Sequence, residues 1–193
     1  NKDGGFLYQS IGHYWEWASM YCCGSRNKAG KVMGLAAFGE KNKMSKEEIL
    51  SISGDGKINV DYTQLKERFQ DHNIFKLDLS NSKHHQNVAL KVQSETETVI
   101  LKLLGILKEK FPTNTLYLSG GVALNVVANE RIIKSNLFKN VILNGSVEDG
   151  GTAIGAGLSV SLKLGYKRKS SAVTDYYGRR YNHKEIMEAV SKY

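Results

Sequence analysis

A chain of 193 residues with 41% hydrophobic and 24% charged residues can bury one core and carry a small appendage. No run approaches the roughly 18 consecutive apolar residues of a membrane helix, and no charged-then-apolar leader opens the sequence. The formal net charge is +8, but residues 163–193 hold eight Lys or Arg against three Asp or Glu, so the main body is only mildly basic. We therefore expect a soluble, cytoplasmic globular protein with no membrane partner, and nucleic acid is disfavoured as a partner.

The N-terminal region shows two separate features, a start without Met and a pair of adjacent cysteines. The first residue is Asn1 rather than Met, in a polar run typical of an internal loop, so we expect a piece of a longer protein. The only cysteines, Cys22 and Cys23, are adjacent, so they cannot easily bridge each other, and they lack the spacing of a zinc or redox motif. We interpret them as buried, reduced core residues.

Residues 7–25 are predicted to form the first helix, because apolar and aromatic residues recur there at helical spacing. Ser10 or Gly12 would begin this helix. We interpret its aromatic stripe as core rather than as a stacking surface. Gly30 and Gly39 then bracket a short helical segment rich in small residues, which lets neighbouring elements pack closely.

Residues 40–85 are polar, and we predict that they form a surface insertion. Within them, Gly54–Gly56 predicts a hairpin turn between two short strands, and a charged helical piece follows near residues 65–69. The doublet His84–His85 is interpreted as part of a loop. No two histidines have the spacing that places both imidazoles on one helix face, so no metal role is predicted for them.

The second half of the chain alternates strands with helices, which predicts an α/β layer. A long amphipathic helix is predicted over residues 87–111, and Pro112, the only proline, ends it. The elements predicted next are strand 116–118, helix 123–136, strand 141–143 and helix 152–164. Near the end of the sequence, Asn182 and Glu185 have the spacing of a helix capping box.

Two glycine-rich turns follow the two predicted strands. Ser119, Gly120 and Gly121 precede one helix, and Asp149 and Gly150 precede the other. Glycine lets the backbone approach a ligand and adopt positive φ, and a helix start offers free N–H groups with a partial positive charge. We therefore predict that both turns face one nucleotide-binding cleft. The alternative is that they are ordinary α/β connections, with Asp149 as a helix cap.

Three segments resemble the carbamoyltransferases of the nodulation and antibiotic-tailoring (NodU/CmcH) type: Gly30–Gly39, Leu118–Asn129 and Asp149–Ala156. The resemblance implies an actin-like, ribonuclease-H-like lobe with a mixed sheet covered by helices. Residues 1–166 would form mainly the second lobe of a two-lobe domain. Residues 167–193 would then be a basic linker and the start of the following domain, a boundary that resembles the family's at Tyr176–Gly178.

The resemblance also implies functions for particular residues. Asp149 falls where the family has a metal-ligating aspartate; the metal would be divalent, with iron as one candidate and the remaining ligands outside this chain. Asn125 is expected one turn into its helix, and Lys31 is a candidate phosphate contact. The residues expected to bind ATP or carbamoyl-adenylate are Ser119, Gly120, Gly121, Asn125 and Gly150. No residue is assigned a catalytic role.

The implied activity of the parent protein is transfer of a carbamoyl group from carbamoyl-adenylate to a hydroxyl of a small, sugar-like acceptor. Carbamoyl phosphate and ATP would form the adenylate in the remaining domains, so the piece alone should be inactive; a homodimer is left open. Three alternatives remain. They are a relative that makes threonylcarbamoyl-adenosine on transfer RNA, supported only by the basic tail, a non-catalytic nucleotide-binding domain of actin-like fold, and a sugar or acetate kinase of that fold.

Overall fold

The computed structural model describes residues 9–69, 82–143, 145–167 and 178–192. The basic residues Arg168 and Lys169 and the aromatic pair Tyr176–Tyr177 lie outside these residues. The chain divides into two compact units, Asn1–Leu143 and Asn144–Tyr193, and each is described by itself. This division precedes the predicted domain boundary at residue 166. Among the described residues, no helix combines the length and the apolar character needed to cross a bilayer.

The first unit begins with two helices, α1 (Ile11–Cys23) and α2 (Ala29–Ala36). Ser10 was one of the two residues predicted to begin α1. It is the N-cap of this helix, because its side chain accepts a hydrogen bond from the His13 N–H. Gly24 ends α1 in the left-handed region at φ 65°, where its N–H donates to the carbonyl of Met20.

A hairpin and a helix follow: β1 (Leu50–Ile52), β2 (Ile58–Val60) and α3 (Tyr62–Phe69). The strands pair antiparallel, as predicted from the Gly54–Gly56 turn. The segment is not a surface insertion, however, because Leu50, Val60 and Leu65 are buried in the main core. Its polar composition gave the wrong expectation because the few apolar residues among the polar ones are those that are buried.

The long helix α4 (Ser82–Lys110) runs through the middle of the first unit and ends just before Pro112, as predicted. His84 and His85 lie in its first turn rather than in a loop, because the helix begins earlier than its apolar pattern. The helix contributes buried residues to two core clusters: Ala89, Val92 and Val99 to a larger one with α1, α2 and the hairpin, and Leu104 to a smaller one with Ile132 and Phe138.

After α4 come β3 (Thr115–Leu118), a short 3-10 helix (Gly121–Leu124), α5 (Val126–Lys134) and β4 (Asn140–Leu143). The two strands pair in parallel, with Leu116 opposite Val141. The combination of helices with small sheets confirms the α/β class. Within the described residues the strands form two separate two-stranded sheets instead of one mixed sheet, since β1 and β2 pair only with each other.

The second unit contains α6 (Gly150–Lys163) and α7 (His183–Val190). The capping box predicted at α7 is present: the Asn182 side chain accepts from the Glu185 N–H at 2.9 Å, and the Glu185 carboxylate accepts from the Asn182 N–H at 2.8 Å. Arg179 also pairs with Glu185, which holds the segment before the helix.

Candidate functional site

The first glycine-rich turn has the backbone geometry expected of it. Gly120 has φ 95° and ψ 162°, a conformation that side chains disfavour, although a Cβ there would meet no atom within 4 Å. Glycine is thus required for its backbone angles and not for space. The 3-10 helix that follows makes its first hydrogen bond from the Ala123 N–H to the Gly120 carbonyl, so the Gly121 and Val122 N–H groups precede it.

Asn125 lies at the start of α5 and not one turn into it, because the 3-10 helix takes up the preceding residues. Its side-chain oxygen caps α5 by accepting from the Ala128 N–H at 3.0 Å. The same amide pairs with the buried amide of Gln93 on α4. Asn129 is also engaged, donating to the Ala123 carbonyl at 2.7 Å. The polar side chains of this motif therefore hold the turn in shape.

A cavity of about 420 Å³ in the first unit brings two of the recognised segments together. Gly30 and Met33 of α2 line it, as do Gly121 and Asn125. These residues are some 90 positions apart in the sequence, and the folding of α1, α2 and the turn around α4 makes them neighbours. Ser119 and Gly120 precede the lining residues directly, and Lys31 is not among them.

Residues at the starts of three helices line the cavity. Ser10 and Gly12 belong to the start of α1, Ala29 and Gly30 to the start of α2, and Gly121 to the start of the 3-10 helix. Helix α2 has no side-chain cap. The early N–H groups of an α-helix carry a partial positive charge, so the starts of α1 and α2 can contribute to binding an anion there.

Charged side chains complete the cavity wall. Arg26 lines it, and within the described part of the chain no carboxylate forms an ion pair with this guanidinium. Glu16 also lines the cavity but accepts a hydrogen bond from His13 Nδ1 at 3.1 Å when that nitrogen is protonated. Arg26 is thus available to a phosphate or carboxylate group, with the planar guanidinium suited to bidentate contact.

Sequence reasoning missed the contribution of α1. Trp15 is 7% exposed and belongs to the core, as predicted, yet it also lines the cavity. Gly12, Trp15 and Glu16 are spaced so that they share one helix face. The sequence signal for this part of the site was a face of α1 with a small, an aromatic and an acidic residue. It was not recognised because the residues around it are apolar and indicate a core helix.

The second glycine-rich turn lies in the second unit. Asp149 precedes α6 with helical backbone angles, φ −55° and ψ −29°, and makes no side-chain capping hydrogen bond. The alternative role as a side-chain cap is therefore wrong, and Asp149 is exposed. Gly150 is also exposed, and a Cβ at Gly151 would collide with the backbone carbonyl of Ser146, so this position needs glycine for space.

A metal would find few ligands in the described residues. No three His, Cys, Asp or Glu side chains within them cluster closely enough to hold an ion. Asp149 can offer one carboxylate, whereas a divalent cation in a protein typically takes several ligands. The described residues therefore do not form a metal site by themselves.

The sequence was compared with known families. A family model described as "Carbamoyltransferase N-terminus" matches residues 4–158. This range contains all three segments singled out from the sequence, and it includes every residue that lines the cavity.

Individual proteins are also similar to this chain. The uncharacterized protein sll1178 of Synechocystis is 29% identical over 94% of this chain and 32% of its own length. The nodulation protein NolO of Bradyrhizobium diazoefficiens is 27% identical over 76% of this chain and 27% of its own length. The uncharacterized protein MJ1058 of Methanocaldococcus jannaschii is 27% identical over 98% and 32%. The chain thus spans about a third of the length of these curated relatives.

Proposed function

The chain belongs to the carbamoyltransferase family, and on that premise we propose that it forms the nucleotide-binding part of an ATP-dependent carbamoyltransferase. The parent protein would move a carbamoyl group from carbamoyl-adenylate to a hydroxyl of a small, sugar-like acceptor. Carbamoyl phosphate and ATP would supply the adenylate, with the remaining domains as partners. We also propose that β3, α5, β4 and α6 belong to an actin-like lobe, since each strand is followed by a helix.

One observation carries this proposal. The cavity is lined by residues of both the Gly30–Gly39 segment and the Leu118–Asn129 segment, which resemble the family most closely in the first unit. Its volume of about 420 Å³ lies within the range of small-molecule sites. Because both segments line one cavity, binding of a single ligand there would explain why both resemble the family.

The cavity lining combines groups suited to phosphate with groups suited to a base. Arg26 and the starts of α1 and α2 favour the phosphate groups. Met33, Val122 and Leu124 offer apolar surface for the base. The chain would thus orient the adenylate and hold its phosphate, which lowers the entropic barrier to attack by the acceptor.

Asp149 and Gly150, in the second unit, remain proposed contacts of a nucleotide and of its metal. A divalent cation held there would polarise the carbamoyl carbonyl or the neighbouring phosphate. Because no group of three potential metal ligands occurs among the described residues, the chemistry proposed for this chain is restricted to binding and orientation.

Nucleotide titrations of the 193-residue chain test the proposal. We expect ATP to bind, with adenosine binding more weakly, because the cationic wall contacts phosphate. Arg26→Ala should raise the Kd for ATP by about tenfold or more, as expected for loss of a charge-assisted hydrogen bond, and should leave adenosine nearly unchanged. Calorimetry measures both constants.

Lys31→Ala is the matched control, since Lys31 is also basic and lies on α2 but does not line the cavity. Its Kd for ATP should stay near that of the unsubstituted chain.

A second pair of variants, at two glycines of α2, tests where ATP binds. A Cβ at Gly30 or at Gly34 would meet nothing within 4 Å, but only Gly30 lines the cavity. Gly30→Leu should block ATP and Gly34→Leu should not. Equal effects within either pair, or no ATP binding at all, would contradict the proposal.

Binding alone does not separate an enzyme from a nucleotide-binding domain without chemistry. The full-length protein should therefore be assayed for carbamoyl transfer with carbamoyl phosphate, ATP and a panel of sugar-like acceptors. Nucleotide binding by the chain together with an inert full-length protein would favour the non-catalytic alternative.

A further inference from the structure

We propose that Gln93 and Thr96, two residues of α4 outside the cavity lining, are positioning residues that set the separation of its walls. The inference rests on the proposed function, because the walls in question are those of the proposed nucleotide site. It assigns to α4 a role beyond packing, because this one helix would hold both Asn125 and Trp15 in the cavity lining.

Gln93 holds the wall formed by the glycine-rich turn. It is 3% exposed and faces Asn125, which is 8% exposed. The two amides exchange hydrogen bonds in both directions, from Gln93 Nε2 to Asn125 Oδ1 at 3.2 Å and from Asn125 Nδ2 to Gln93 Oε1 at 2.9 Å. Gln93 Nε2 also donates to Glu97 at 2.8 Å. A buried amide pair of this kind fixes both position and orientation, because either partner alone would leave polar atoms unsatisfied.

Thr96 holds the wall formed by α1. Its hydroxyl donates to the Val92 carbonyl at 2.7 Å, and this fixes the direction of its proton. The oxygen therefore presents a lone pair to the Trp15 indole N–H, which donates to it at 2.9 Å. Thr96 is fully buried, so this hydrogen bond is shielded from solvent. The indole ring is thereby held in one orientation beside the cavity.

The spacing of the two residues makes them act together. Positions 93 and 96 are three residues apart and so lie on one face of α4. A helix is a stiff element, so the distance between Asn125 and Trp15 follows from α4 rather than from the loops that join the walls.

The test uses three variants of the 193-residue chain. Gln93→Met and Thr96→Val keep approximate shape but remove the hydrogen bonds, and each should raise the Kd for ATP by about three- to tenfold, the effect of one displaced binding group. Thr96→Ser retains the hydroxyl and should restore the Kd to within about twofold. Calorimetry well below the thermal midpoint keeps every variant folded.

Leu65→Ala is the control for lost stability, because Leu65 is fully buried on α3 but does not line the cavity. It should lower the thermal midpoint at least as far as Thr96→Val without changing the Kd. If Gln93→Met and Thr96→Val behave as Leu65→Ala does, or if Thr96→Ser binds as poorly as Thr96→Val, the inference is overturned.

An NMR measurement without ligand separates this inference from the proposed function. Gln93→Met should shift the backbone amide signals of Gly121 and Val122, and Thr96→Val should shift the Trp15 indole signal and the Gly12 amide. Unchanged signals overturn the positioning role, whatever binds. Shifted signals in a chain that binds no ATP would instead reject the proposed function and leave the positioning role supported.

Discussion

At the scale of single residues, a buried carboxylate joins three parts of the first unit. Glu95 of α4 is 8% exposed and accepts from Tyr14 Oη at 2.6 Å and from the N–H groups of Ile49 and Leu50 at 3.0 and 3.3 Å. Lys91, one turn earlier, forms an ion pair with it at 2.8 Å. With its charge paired and its oxygens occupied, Glu95 ties α1, α4 and the hairpin together without an unsatisfied buried group.

The adjacent cysteines give a prediction at the same scale. Burial, with a smaller contribution from the neighbouring Cys23, raises the pKa of the Cys22 thiol to about 12. Burial also raises the pKa of Cys23, although Lys31 and Lys28 partly oppose it. Because the thiolate is the reactive form, we expect neither thiol to react rapidly with iodoacetamide at pH 8, and both to react after unfolding. Mass spectrometry of the alkylated chain measures this.

The same shift fixes a pH dependence. The folded pKa of Cys22 lies above its ordinary value of 9.0, so the unfolded state loses this proton first as the pH rises. Cys22 should thus lower the free energy of unfolding by about 1.4 kcal/mol per pH unit between the two values, and not below pH 9. Denaturant titrations should show that Cys22→Ala reduces this slope. An identical slope in both proteins would contradict the assignment.

At the scale of elements, the segment that follows α2 passes very close to α4 at Gly39. A Cβ at Gly39 would lie 2.5 Å from the Leu90 Cβ and 2.7 Å from the Gln86 carbonyl oxygen, both on α4. Glycine is therefore needed at this position for space. Gly34, inside α2, has no atom within 4 Å of its hypothetical Cβ.

These two glycines should respond oppositely to alanine. Gly39→Ala must move α2 away from α4 and should lower the free energy of unfolding by about 1–3 kcal/mol, as overpacking does. Gly34→Ala adds no clash and should raise it by about 0.5–1 kcal/mol, because alanine favours the helix. Urea unfolding followed by circular dichroism compares them. Destabilisation of similar size in both variants would contradict the close approach at Gly39.

Elements with local signals could be predicted from the sequence. The cap at Ser10, the stop before Pro112 and the capping box at Asn182 each depend on a few consecutive residues, and all three are present. Asn125 was misplaced because helical periodicity does not distinguish an α-helix from the tighter 3-10 helix ahead of it.

Parts of the site that depend on distant contacts could not be predicted in this way. The sequence singled out Gly121 and Asn125, but nothing local to them indicates Trp15 or Arg26 as their neighbours across the cavity. The hairpin was likewise assigned to the surface because its composition is polar, whereas Leu50 and Leu65 become buried only against α1 and α4.

At the scale of the whole molecule, the core belongs to the first unit. Both clusters consist of residues between Ile11 and Val141, and the lining of the cavity lies between Ser10 and Asn125. A unit with its own core is expected to fold by itself.

We therefore predict that residues 1–143 form an independent folding unit. A protein ending at Leu143 should unfold in one cooperative transition, with a thermal midpoint within about 5 °C of that of the 193-residue chain, because no member of either cluster is lost. Differential scanning calorimetry measures this. A broad transition without a heat-absorption peak would show that Asn144–Tyr193 is needed for the core.

Helix α4 spans about 43 Å at the usual rise per residue and reaches from one cluster to the other. Ile100, in the middle of α4, packs against both clusters, so we expect melting of the helix at one end to weaken the packing at the other. The first unit should therefore behave as a single cooperative block despite having two apolar centres. Amides at Val92 and at Leu104 would then exchange with solvent at the same opening free energy.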